Sequence, residues 1–313
     1  MKSKLFRVAV SCLLSALALG FLAACAAPPE TRAPSPIEVT DQLGRVVRLD
    51  KVPAKIVSLA PSNTEILFAL GLGDEVVGVT DYDDYPPEAK DKPSIGGFST
   101  PDIERVVALS PDLVLATSIH QKRVIPQLEE KELTVLALAP KTIDEVMASI
   151  KLVGQVTGKQ KEATDLVAEM QKRIKAVTDK TDSLPSERRP GVFYLLWHDP
   201  LMTSGPGTLQ DELIVKAGGA NIAGEMEAYA TIDVEAVIQA NPEVIIAGVG
   251  MGSGEDQPLQ FVLTEERLRG VDARISRRLY GVDNDLTGRA GPRIVDALEA
   301  FARVIHPELF QEK

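Results

Sequence analysis

One segment of this chain occurs twice, 131 positions apart. Residues 100–116 read TPDIERVVALSPDLVLA, and residues 231–247 read TIDVEAVIQANPEVIIA. The two align without a gap: Thr100 on Thr231, Asp102 on Asp233, Glu104 on Glu235, Pro111 on Pro242. Each copy reads as a short helix, a proline break and an apolar strand ending in alanine. A helix–strand unit must bury its apolar faces in a layered sheet. A chain with one such unit in each half is therefore expected to form two similar α/β lobes, with Glu104 and Glu235 at equivalent places.

The flanking segments extend the pattern. Residues 37–49 predict a β-hairpin turning at Gly44. Strands are expected at 55–59, 76–79 and 133–138, and helices at 64–70, 121–131 and 143–156. The second half repeats the alternation, with strands at 191–196 and 279–282 and helices at 209–217 and 292–305. Strands alternating with helices at this spacing predict mostly parallel sheets covered on both faces. Between the halves, residues 159–183 contain neither Gly nor Pro. Their apolar positions, Ala163, Leu166, Val167, Met170, Ile174 and Val177, recur at three and four and form one helical stripe. That predicts a single helix of roughly 33 Å. The expected fold is α/β: two Rossmann-like lobes, 37–157 and 185–313, joined by one long backbone helix over 158–184. A single stiff connection predicts only small relative motion of the lobes.

The N-terminus reads as a targeting segment. Lys2, Lys4 and Arg7 precede an apolar stretch that is short for a span of roughly 20 residues. Leu22-Ala23-Ala24-Cys25 follows, with small residues before a cysteine. Residues 1–24 are thus expected to be a lipoprotein signal peptide, and Cys25 the acylated (palmitate-bearing) new N-terminus. Residues 25–36 carry Pro28, Pro29, Pro34 and Pro36 and predict a semi-extended tether of roughly 30 Å. The only other cysteine is Cys12, inside the signal, so the mature chain has no internal disulfide. Losing the three basic residues of the leader takes the formal charge from -11 to -14. An acidic body argues against nucleic acid and against lying on an anionic bilayer.

Ligands of open α/β sheets bind beyond the carboxyl ends of the strands. Tyr82, Tyr85 and Phe98 follow the second strand, and Ser118, Ile119 and His120 follow the first repeat. Trp197 and His198 follow strand 191–196, Tyr229 precedes the second repeat, and Asn284, Asp285 and Arg289 follow the last strand. These residues either line one cleft for a large, partly flat ligand or serve as loop and lobe-packing residues. No His/Cys cluster has metal-ligand spacing, and there is no GxSxG elbow. The glycines of 248–254 do not match GxGxxG. No catalytic residue, resident metal or cofactor is predicted, and the chain reads as a binding protein and not an enzyme. In the repeats, Thr100 and Thr231 are expected to cap the helices. Ile103, Val106 and Val107 would form one buried stripe, and Val234, Val237 and Ile238 the other, leaving Glu104 and Glu235 exposed. Two equivalent exposed carboxylates suit a two-fold partner with a basic pocket on each subunit.

The stretches SLAPSNTEILFALG (58–71), DYDDYPPEA (81–89), TPDIERVVALSPDLVLA (100–116), TSGPGTLQDELIVKAGGANIA (203–223) and RAGPRI (289–294) resemble the helical-backbone substrate-binding lipoproteins of ABC importers. These deliver cobalamin, ferric siderophores and haem, and have the class III periplasmic-binding-protein fold. The resemblance implies an extracytoplasmic, lipid-anchored monomer that hands a metal chelate to a permease dimer with its ATPase. The DYDDYPP loop and the WHDPLMTSG segment look most like corrinoid-binding members. By that match Tyr82 packs on the ligand, Phe98 and Tyr229 stand at Trp positions, Met202 at an aromatic one, and Arg289 at a cleft arginine. Glu104 and Glu235 match glutamates that pair with permease arginines. Gly288 stands where the cobalamin binder has a glutamate, and Ile119 lies near another Trp position, so the cleft is less aromatic. A different corrinoid, a ferric siderophore or haem remains an alternative ligand. A sensor or co-receptor and a surface-anchored enzyme are the alternative classes.

Overall fold

The computed structural model describes residues 36–250 and 256–310. The expected leader, Cys25 with nearly all of the tether, and residues 251–254 of the glycine-rich loop lie outside the described residues.

Strands β1 (Ile37–Thr40) and β2 (Val46–Leu49) form the expected hairpin, with Ile37 opposite Leu49. Gly44 turns it at φ 79°, a left-handed conformation costing other residues roughly 1–2 kcal/mol. The first half then contributes β3 (Ile56–Ser58), β4 (Val76–Gly78), β5 (Leu113–Thr117) and β6 (Val135–Leu138). These make a parallel sheet in the order β4-β3-β5-β6. The second half contributes β7 (Gly191–Leu195), β8 (Trp197–His198), β9 (Leu201–Ser204), β10 (Ala220–Asn221), β11 (Tyr229–Thr231), β12 (Val244–Val249) and β13 (Leu279–Asp283). Four of them form a second parallel sheet in the order β10-β7-β12-β13. The strands of the two repeats, β5 and β12, occupy the same third place in these sheets. The sequence repeat is thus a topological equivalence of the two halves.

The helices of the repeats begin later than the threonines suggest. Helix Ile103–Ala108 is capped by Asp102, whose carboxylate accepts the Arg105 N–H at 3.1 Å. Helix Val234–Ala240 starts after Asp233. A bridge between Gly96 and Pro101 spans Thr100, and pairing of β11 with β9 holds Thr231 extended, so neither threonine is free to cap. Ile238 is exposed rather than part of a buried stripe; this two-turn helix buries only Val234 and Val237.

Helix Gln160–Thr181 connects the sheets and buries Ala163, Val167, Met170 and Val177, with Leu166 and Ile174 half-buried on the same core. It touches helix Ile143–Thr157 closely: a Cβ built on Gly154 would lie 2.5 Å from that of Ala163. On the other side Arg173 reaches Asp296 (2.5 Å) and Glu299 (2.9 Å) of helix Ile294–Ile305. Ile56 and Leu113 of the first sheet, Met170, and Tyr194 and Phe301 of the second half belong to one continuous core. Each sheet also has its own smaller cluster on the opposite face. The Glu212 carboxylate of the second lobe accepts the Ile143 N–H at 2.7 Å, at a helix N-terminus of the first. Opening the lobes has to work against a shared core as well as a stiff helix, which supports small motions.

Candidate ligand-binding cleft

The first lobe's wall is built at the end of β5. The chain turns through Ser118–His120, exposing Ile119 and burying His120 completely. Nδ1 of His120 accepts the Thr117 backbone N–H at 3.0 Å, and Nε2 faces the Phe98 carbonyl at 2.7 Å. These partners require the neutral ring with its proton on Nε2. The Phe98 ring stands edge-on to His120, with centroids 5.5 Å apart. His120 therefore ties the long loop after β4 to the end of β5. Burial holds its pKa below the ordinary histidine value, against the raising effect of the Phe98 carbonyl. Because the folded-state pKa is depressed, this contribution is complete above about pH 6.5 and is lost as pH falls through the folded value. Stability is expected to fall as the pH is lowered from 7 to 5, and His120→Gln should flatten that slope in urea titrations. An unchanged slope would show that His120 titrates freely.

The second lobe carries a small antiparallel sheet, β11-β9-β8, that sequence periodicity did not reveal. Its register sets Met202 opposite both Trp197 and Thr231, and Ser204 opposite Tyr229. Alternation then puts Trp197, Met202 and Tyr229 on one face. His198 belongs to the other face, with its ring centroid 6.2 Å from Phe261 and a buried Nδ1 that has no hydrogen-bond partner. Three of the expected ligand-binding residues are thus brought together; His198 starts from the reverse face, with its ring centroid 5.0 Å from that of Trp197. Phe261, on helix Gln257–Thr264, was not foreseen.

A network of charges links the two lobes. Helix Pro61–Ala69 carries Glu65, only 3% exposed. Arg293 grips it with Nε to Oε2 at 3.0 Å and Nη2 to Oε1 at 2.5 Å. Arg289 Nη1 donates to Glu65 (3.3 Å) and to Asp84 (2.6 Å). Its Nη2 reaches Asp285 at 2.6 Å and the Tyr82 carbonyl at 3.3 Å. The Arg293 guanidinium also lies 4.0 Å from the Tyr85 ring centroid, a cation–π contact. Gly291 permits this approach: a Cβ there would come 3.2 Å from Glu65 Oε2. Burial pulls the Arg289 pKa down, but Asp84, Asp285 and Glu65 outweigh it and hold it above the usual value. Nearby, Asp83 accepts the Thr80 N–H at 2.9 Å and the Thr80 hydroxyl, and burial raises its pKa. A cavity of about 420 Å³ opens beside this network, against Phe68, Tyr85, Pro86 and Pro292. Arg289 and Tyr85 are therefore already engaged across the lobes. Glu65, Asp84 and Arg293 were missed as site residues, although each lies in a stretch quoted above. A lone acid inside the apolar run of 64–70 was the available signal.

Outside the cleft, Glu104 and Glu235 are exposed, each in the first turn of its repeat helix. Each has one cation of its own lobe in reach, Lys131 at 4.0 Å and Arg267 at 3.5 Å. Among the described residues no group of acids, His or Cys is arranged to hold a metal ion.

Residues 56–286 match the sequence model of a family described as periplasmic binding protein. The chain belongs to that family. Its two sheets and connecting helix are the class III form of the periplasmic-binding-protein fold. An ABC transporter substrate-binding lipoprotein of Bacillus subtilis, YvrC, is 34% identical over 88% of each chain. A cobalamin-binding protein of Halobacterium salinarum is 29% identical, covering 87% of this chain and 74% of the relative. The solved haem-binding protein RhuT of Roseiflexus superposes with a TM-score of 0.72 at 28% identity, covering 82% of this chain and 99% of that one. Relatives of this periplasmic binding protein thus include binders of different chelates, so family membership leaves the ligand open.

Proposed function

We propose that this protein is the extracytoplasmic substrate-binding lipoprotein of an ABC importer. It captures a corrinoid between its lobes and docks through Glu104 and Glu235 on a permease dimer coupled to an ATPase. The observation that carries the ligand reading is the exposure of aromatic side chains at the strand ends of both lobes. Tyr82 is 61% and Tyr229 54% exposed, whereas Tyr194, Phe193 and Phe301 are fully buried. Leaving half or more of an aromatic surface in water forgoes about 2–3 kcal/mol per side chain, which a flat apolar ligand recovers. Trp197 and Met202 share a sheet face with Tyr229, and Ile119 is exposed at a strand end of the first lobe. The cobalamin-binding relative supports a corrinoid; the haem-binding one keeps haem as the second reading, with ferric siderophores beside it.

Titration of the purified protein with cobalamin, cobinamide, haemin and ferric siderophores tests this. Trp197, the chain's only tryptophan, should be quenched by a corrinoid at micromolar concentration or below. No response to any of the four would refute the receptor reading. Lipid attachment is tested separately: Cys25→Ser should move the protein from the membrane to the soluble fraction. Retention of that variant on membranes would point to anchoring by the leader.

A further inference from the structure

Arg289 and Arg293 are surrounded by Glu65, Asp84 and Asp285, three carboxylates against two guanidiniums. Both arginines are largely covered, with side-chain exposures of 13% and 18%. A guanidinium has a fixed fork of N–H donors, and here both Nη groups of Arg289 and the Nε and Nη2 of Arg293 are turned to partners inside the protein. An anionic ligand arriving here meets one carboxylate in excess, and to take a bidentate grip on either guanidinium it has to displace Asp84 or Glu65. A neutral or cationic ligand has no such cost, and its amide donors find carboxylate and carbonyl acceptors. Lys122 and Arg123 lie beyond His120 but are exposed, where salt and water screen them.

Resting on the receptor reading above, we propose that Glu65, Asp84 and Asp285 make this cleft selective for neutral or cationic metal chelates and against anionic ones. The acids act by holding the arginines, as specificity-determining residues. The resulting preference is for uncharged corrinoids over haem with its two propionates, and for neutral over anionic ferric siderophores.

The test compares chelates that differ in charge, two of them siderophores that share ferric iron. Binding of cyanocobalamin, a neutral ferric trihydroxamate, a triply anionic ferric tricatecholate and haemin is measured at low and high salt. The unsubstituted protein is expected to bind its neutral ligand about tenfold or more tightly than either anionic one, a difference of about 1.4 kcal/mol. Glu65→Gln should free Arg293 and remove one of the three carboxylates on Arg289, narrowing that ratio several-fold, with the narrowing reduced at high salt. Asp84→Asn, at a half-exposed position, takes one carboxylate from Arg289 with less risk to folding and should move the ratio the same way. Tighter or equal binding of an anionic chelate by the unsubstituted protein would overturn the proposal. So would a ratio that neither variant shifts. Binding of none of the four chelates would instead sink the receptor reading itself.

Discussion

Glu65→Ala is expected to destabilise the protein by about 2–4 kcal/mol, read as a lowered urea midpoint. The side chain is the buried centre of two ion pairs, and breaking a buried pair typically costs about 3–5 kcal/mol because the remaining charge has no partner. Here the loss is somewhat smaller, since Arg289 keeps Asp84 and Asp285 and Arg293 keeps the face of Tyr85. The deletion also empties space under helix Pro61–Ala69, whose Ile66 and Leu67 belong to the shared core, so a cavity cost adds to the electrostatic one. Glu65→Gln preserves volume and should cost less, which separates packing from charge. A loss below about 1 kcal/mol for the alanine variant would show that the arginines re-pair without penalty.

Replacing Glu104 and Glu235 together by alanine is expected to reduce uptake by about 5–30-fold and to leave ligand affinity unchanged. An exposed ion pair is worth roughly 0.5–1 kcal/mol, so two equivalent contacts on one permease dimer combine to about 1–2 kcal/mol. Each single variant should show a several-fold effect, mostly in the encounter rate and steeply dependent on salt. Both residues stand on helices outside the cleft, and each now pairs only with a surface cation of its own lobe. Ligand binding therefore serves as the internal control. Undiminished uptake by the double variant would sink the docking proposal. Lost ligand affinity would mean that the substitutions disturb the fold.

Much of the architecture was legible because it rests on local periodicity. The repeated segments put β5 and β12 at matching sheet positions, and the glycine-free stretch became helix Gln160–Thr181 within two residues at each end. The helix starts were read less well, because the Gly96–Pro101 bridge and the pairing of β11 hold the candidate threonines extended. Strands β8, β9 and β11 are two to four residues long, too short for alternation to register. Their register nevertheless collects Trp197, Met202 and Tyr229 on one face. Glu65 is illegible in the sequence for a different reason. An acid in a short helix ordinarily faces water, and what buries this one are arginines 224 and 228 positions away.

The sequence alone determined two equivalent α/β halves, the rigid connection between them, and the exposed acid on each repeat. Those features follow from spacing along the chain, which backbone geometry converts directly into helices, strands and their faces. Only the tertiary structure decided what the cleft offers a ligand. It made Arg289 the partner of three carboxylates and set the His198 ring beside both Trp197 and Phe261. Charge and exposure at a site depend on what packs against it from distant segments, and folding alone brings those segments together.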